Sequence, residues 1–190
     1  MKNKTLYIIT GGIASGKSTL SYNFIKHFDF INLPFVSTDV YYDIFFANND
    51  QFDKYYDKAR KYTDERLDLY RESGESFVWE TVLSKEKKRV FIERCKKEGY
   101  TIVCLFVGLE NPHTAVERSI SRATDGDRSV SPDFVLDRYN KSLSSLEWIS
   151  LLADTLVVFD NSNSLKLLLY KSTEEKYLAD CLPDWVSCII

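Results

Sequence analysis

Residues 11–18 read Gly11, Gly12, Ile13, Ala14, Ser15, Gly16, Lys17, Ser18, followed by Thr19. Two glycines five apart, then a lysine and a hydroxyl, are the residue types that grip a run of phosphates. Glycine permits the turn in which successive backbone N–H groups face one point. Lysine brings a mobile cation to β- and γ-phosphate oxygens, and serine offers a hydroxyl to Mg²⁺. The flanks suit this chemistry. Leu6, Tyr7, Ile8 and Ile9 read as a strand, and the stretch to Phe28 as a helix whose N-terminus carries the positive end of its dipole. Residues 11–19 are therefore expected to hold ATP, with Ser18 as the Mg²⁺ ligand.

Three further groups have the chemistry to act on such a phosphate. Asp39, in Val36-Ser37-Thr38-Asp39, can take the proton of a substrate hydroxyl, or can cap a helix starting at Val40. Local sequence leaves both readings open. Glu80 and Thr81 close the run Phe77-Val78-Trp79, which places a carboxylate at a strand's carboxyl end. Such an acid can hold a Mg²⁺-bound water or accept from a substrate hydroxyl. Arg118 and Arg122 lie four apart on one helix face, and Arg128 follows in the loop Asp125-Gly126-Asp127-Arg128. Arginines on a closing lid stabilise the charge of a transferring phosphoryl group. Solvated arginines paired with Glu117, Asp125 or Asp127 are the plainer alternative. No Asp follows the run ending at Val107, only Gly108-Leu109-Glu110, which fits small-molecule kinases better than motors or GTPases.

The elements that must position these groups alternate. Strand-like runs fall at 6–10, 33–37, 77–80, 101–107 and 155–159, and another strand or short hairpin at 165–170. Helix patterns cover 17–28, 39–47, 51–72, 84–98, 112–123 and 132–149. Alternation of this kind builds a parallel sheet with right-handed crossovers. The run Thr101–Val107 is apolar on both faces, as a central strand covered by helices must be. The expected fold is α/β: a three-layer P-loop kinase domain over 1–190, with about five or six mostly parallel strands, helices on both faces and a lid-like segment near 118–131. Ligands gather at the carboxyl ends of such strands.

Composition narrows the partners. The chain has 190 residues, 44% hydrophobic, and a net charge of −3, so nucleic acid is not an expected partner. Lys85, Lys87, Lys88, Arg89, Arg94, Lys96 and Lys97 form a basic cluster that reads as a solvated helix face, with Val90, Phe91 and Cys95 as its buried stripe. The four cysteines show neither metal-site nor disulfide spacing. His27 and His113 are isolated. No leader pattern and no spanning run is visible, so a cytoplasmic protein is expected. The aromatics Tyr41, Tyr42, Phe45, Phe46, Tyr55, Tyr56, Tyr62 and Tyr70 serve either a core or an acceptor pocket.

Together these residues resemble the zeta toxin family of P-loop proteins, whose toxins phosphorylate UDP-N-acetylglucosamine. The likeness rests on Gly11–Thr19, on Phe-Val-Ser-Thr-Asp at 35–39, on Trp-Glu-Thr-Val-Leu-Ser at 79–84, and on 115–146 with its arginines, glycine loop and Arg138-Tyr139-Asn140-Lys141-Ser142-Leu143. Phe159-Asp160-Asn161-Ser162 also fits. The resemblance implies Asp39 as general base, Glu80 as a substrate-site acid, Lys17 and Ser18 as phosphate and Mg²⁺ ligands, and Arg118, Arg122 or Arg128 as charge stabilisers. Where the family often carries Gly-Gly-His, this chain has Gly126-Asp127-Arg128. The expected function is ATP-dependent phosphorylation of a small-molecule hydroxyl, with a sugar nucleotide the leading acceptor. A nucleotide-dependent binding module, one half of a toxin–antitoxin pair with little turnover, is the alternative. A nucleoside or nucleotide kinase is a third reading.

Overall fold

The computed structural model describes residues 4–27, 32–46, 51–124 and 129–190. The elements run β1 (Thr5–Gly11), α1 (Lys17–His27), β2 (Phe35–Val36), α2 (Thr38–Phe46), α3 (Phe52–Ser73), β3 (Phe77–Thr81) and α4 (Glu86–Lys97). They continue through β4 (Thr101–Gly108), α5 (Pro112–Thr124), α6 (Pro132–Leu152), β5 (Thr155–Asp160), β6 (Lys166–Lys171) and β7 (Lys176–Leu178) to a terminal 3₁₀ turn (Asp184–Ile189). The strands form one sheet in the order β2-β3-β1-β4-β5-β6-β7. The first five are parallel, and β6 and β7 are antiparallel additions. Seven strands therefore stand where five or six are expected. The extra one, β7, is three residues long and follows a turn closed by Ser172 N–H to the Glu175 carbonyl (2.8 Å).

Alternation along the central strands sorts their side chains onto two faces. Leu6 and Ile8 of β1, Ile102, Cys104 and Phe106 of β4, and Leu156 and Val158 of β5 enter one core with Leu67, Ile92, Leu146 and Ile149 from α3, α4 and α6. Ile9, Leu105 and Val107 enter the other, under Leu20 and Phe24 of α1. Helices therefore cover both faces. The stripe expected on α4 is turned in register: Ile92 and Cys95 are buried, Phe91 is half-buried and Val90 is exposed. The start of α6 is as the sequence predicts, with Ser131 accepting from Phe134 N–H (3.3 Å) and Pro132 in the first turn.

Topology positions the site. The chain moves outward from β1 through β2 and returns at β3, then crosses β1 to reach β4, so β1 lies between β3 and β4. The crevice at that reversal is where open α/β sheets bind ligands. The register pairs Ile9 with Glu80 and Thr10 with Thr81, which brings the end of β3 beside the loop that follows β1.

Candidate functional site

The loop after β1 is shaped by two close approaches. Gly11 (φ 149°) lies so near β4 that a Cβ there would meet the Val107 carbonyl oxygen at 2.2 Å, and a Cβ on Gly16 (φ 101°) would meet Asn161 Nδ2 at 2.3 Å. Only glycine fits either place. Ala14 also takes a left-handed conformation (φ 57°). Asn161 donates from Nδ2 to the Ser15 carbonyl (2.8 Å), tying the loop to the end of β5. Lys17 curls back over the loop and donates from Nζ to the Gly12 carbonyl (2.6 Å). Burial pulls its ammonium below the ordinary lysine range; Glu80 and Asp39 oppose that shift and Arg122 adds to it.

The acids expected to act on a phosphate meet here. Glu80 is 6% exposed. It accepts from Ser18 Oγ (3.2 Å) and from Ser21 Oγ, both on α1. Asp39 sits in the first turn of α2, and the Ser37 carbonyl, one residue before the helix, already accepts from Tyr41 N–H (3.1 Å). Asp39 is thus not the helix cap. Its Oδ1 accepts from Tyr56 O–H of α3 (2.5 Å). Thr81 Oγ1 accepts from Lys88 Nζ (2.5 Å).

Lys17, Ser18, Asp39, Glu80, Thr81 and Arg122 all line one cavity of about 800 Å³. Ile13 and Ala14 of the loop line it as well. Thr19 is exposed and turned elsewhere. Arg118 is not in the lining; its Nη2 donates to the Ser162 carbonyl (2.9 Å), at the end of β5. Arg128 and the rest of 125–128 lie outside the described residues. The aromatics divide: Tyr42, Phe52 and Tyr56 line the cavity with ring centroids 4.7 to 5.7 Å apart, and Tyr41 packs edge-on to Tyr62 at 4.8 Å.

Sequence reasoning missed Ser21 and the inward placing of Lys88 and Arg138, and it did not single out Tyr56 among the aromatics it offered for an acceptor pocket. Ser21 is one turn beyond Ser18, and that i, i+3 spacing is a usable signal. Tyr56 is one of eight crowded aromatics and carries no such mark. Lys88 and Arg138 line the same cavity, although the basic run on α4 reads as solvated. Lys88 faces inward because Thr81 Oγ1 and the Val82 carbonyl (2.8 Å) accept from it.

A Mg²⁺ site requires hard oxygen donors near the loop lysine. The Ser18 hydroxyl and the buried Glu80 carboxylate converge there, so the residues present fit that ion. Among the described residues no helix is long and apolar enough to cross a membrane, and no cluster of three metal-ligating side chains occurs.

Comparison with known proteins agrees with this geometry. No curated protein matches the chain by sequence. Among solved structures, a putative kinase from Chloroflexus aurantiacus is 23% identical, with 72% of this chain and 75% of that one covered (TM-score 0.56). A structure from the PezAT chromosomal toxin–antitoxin system of Streptococcus pneumoniae is 15% identical, with 87% and 71% covered (TM-score 0.66). The AvrRxo1-ORF1:-ORF2 complex solved with ATP is 13% identical, with 94% and 61% covered (TM-score 0.70). These likenesses establish a fold of the P-loop kinase type. The Zeta toxin family description matches residues 1–175, and this chain belongs to the zeta toxin family.

Proposed function

We propose that the chain is an ATP-dependent kinase that transfers the γ-phosphoryl group to a hydroxyl of a small molecule, a sugar nucleotide such as UDP-N-acetylglucosamine being the leading acceptor. The observation that carries this reading is the convergence of Lys17, Ser18, Glu80 and Asp39 on one cavity. Its volume suits a nucleotide together with an acceptor.

In this mechanism the loop amides and Lys17 orient the ATP phosphates. Ser18 and Glu80 would hold Mg²⁺, which would supply positive charge against the phosphates. Tyr56 fixes Oδ1 of Asp39, so Oδ2 is the atom left to take the acceptor's proton as its oxygen attacks phosphorus. Arg122 faces the same space and would stabilise the equatorial oxygens. Arg128, outside the described residues, is proposed as a further charge stabiliser, and Arg118 would brace α5 through Ser162.

³¹P NMR of the protein with Mg·ATP and UDP-N-acetylglucosamine tests this directly. A sugar-phosphate resonance that disappears in Asp39→Asn is the expected result. If ATP binds but is never consumed with any acceptor from a metabolite pool, the kinase reading is wrong. The chain would then be a nucleotide-dependent module, and an antitoxin protein would be the partner to seek. The toxin–antitoxin origin of one structural neighbour favours that second reading.

A further inference from the structure

Two ionic side chains are buried among the described residues, Arg71 (4% exposed) and Glu80 (6%), and they are met differently. Arg71 binds three carboxylates, Glu98 (2.9 Å), Asp68 (3.1 Å) and Glu72 (2.7 Å). Glu80 forms no ion pair with any described lysine or arginine. Lys17 of the loop donates to the Gly12 carbonyl (2.6 Å) and not to Glu80. Hydroxyls alone meet the acid: Ser18 Oγ donates to Oε1 (3.2 Å) and Ser21 Oγ to Oε2. A carboxylate withdrawn from water without a cation is costly. Such exceptions to the pairing rule cluster where a protein does its work.

Ser21 is 3% exposed and stands in the second turn of α1, three residues after Ser18 and on the same face. A serine inside a helix competes for backbone partners and commonly returns its proton to the preceding turn. Helix α6 does this repeatedly: Ser144 donates to the Asn140 carbonyl (3.0 Å), Ser145 to Ser142 (2.6 Å) and Ser150 to Glu147 (2.6 Å). Thr63 of α3 does so to Ala59 (2.8 Å). Ser21 instead sends its proton across to β3. The last torsion of a glutamate is broad and shallow, so one bond from Ser18 would leave the carboxylate plane free to turn. The bond from Ser21 fixes it, and Oε1 then stays on the Ser18 hydroxyl. A hydroxyl ligates a cation through an oxygen lone pair, so its proton must point elsewhere. Oε1 is the acceptor that takes that proton.

We infer that Ser21 is a positioning residue for the cation side of the site. Its hydroxyl sets the rotation of the Glu80 carboxylate, and the carboxylate turns the Ser18 proton away from where Mg²⁺ would sit. This inference rests on the kinase reading for the presence of Mg²⁺ and nucleotide, whereas the bond from Ser21 to Glu80 stands without it.

Calorimetry with a non-hydrolysable ATP analogue, once with Mg²⁺ and once with EDTA, tests it. The ratio of the two affinities reads the cation's share of binding. Ser21→Ala and Ser21→Val are expected to lower that ratio by about tenfold or more, the usual cost of losing an outer partner of a metal ligand. Affinity in EDTA should stay within a few-fold of wild type. Ser21→Thr has nearly the shape of the valine variant but keeps the hydroxyl, and should hold the ratio within a few-fold. A cooperative melting transition in each variant establishes that it is folded. If Ser21→Val keeps the wild-type ratio, or valine and threonine variants lose it alike, Ser21 does not position the acid. An equal loss with and without Mg²⁺ would make Ser21 a prop of the loop, which also overturns the inference. Wild type binding the analogue equally well in both buffers would overturn it through the cation, with nucleotide binding left in place. No binding in either buffer refutes the kinase reading itself, and that result is read from wild type before any variant is made.

Discussion

The two halves of the cleft are built on opposite plans. The proposed nucleotide half is one contiguous stretch, residues 11–18, its shape forced by the Val107 carbonyl and the Asn161 side chain. The opposite half gathers Asp39, Tyr56, Glu80, Lys88 and Arg138 from α2, α3, β3, α4 and α6. On the proposed kinase reading, the first half recognises something every ATP-using enzyme shares, and a fixed backbone shape suffices. On that reading the second must fit one acceptor, and side chains from five elements can vary independently. Invariant chemistry is held by main chain, and selectivity by dispersed side chains.

Substitutions can break this contrast or sharpen it. Lys17→Met should abolish measurable transfer, a loss on the order of 10³-fold or more, because it removes the cation from the developing charge; single-turnover kinetics would detect it. Asp39→Asn should cost about 10²- to 10⁴-fold in transfer while ATP affinity, read by calorimetry, stays near wild type. An equal loss of ATP affinity would mean the two halves are not separable. Asn161→Ala leaves the Ser15 carbonyl without its amide donor and should weaken ATP binding roughly fivefold, the worth of about 1 kcal/mol. Tyr56→Phe frees Asp39 Oδ1 and should lower the transfer rate a few-fold with ATP affinity unchanged.

The smallest effect concerns stability and has the opposite sign. The unfolded chain keeps a lysine protonated up to about 10.4, whereas folded Lys88 releases its proton near 7. Between those values the unfolded state binds more protons, so stability should rise with pH from about 7 to about 10. Burial sets most of the effect, Lys87, Arg138 on α6 and Lys85 add to it, and Asp39 on α2 opposes it. Lys88→Met should flatten that rise and raise the melting temperature at pH 7 by a few degrees, of order 2–4 °C. A fall instead would mark Lys88 as a structural prop.

How much of this could be read in the sequence follows from the same division. Gly11 to Ser18 was legible because its members are neighbours and the flanking strand and helix are strongly patterned. Glu80 stood out because it ends an apolar run at a strand's carboxyl end, and Asp39 because it follows the second strand within three residues. Lys88 and Arg138 did not, since 50 positions separate them and nothing local distinguishes an inward lysine from six other cations. The α4 register shifted for a related reason: Val90, Phe91 and Ile92 are adjacent and apolar, and only packing against α6 and β4 chooses which is buried. Short β7 was hidden by the charged turn at 172–175, whose backbone, not its side chains, pairs the strands.

The bond from Asn161 to Ser15 spans 146 positions. Strand β1 is translated before both its neighbours and well before the amide that braces its loop. At roughly 5–20 residues per second, about 7–30 seconds pass between synthesis of the loop and arrival of its brace. A partly synthesised chain therefore carries the phosphate-binding residues without the shape that uses them. The loop of the nascent protein is unbraced until its last parallel strand is in place.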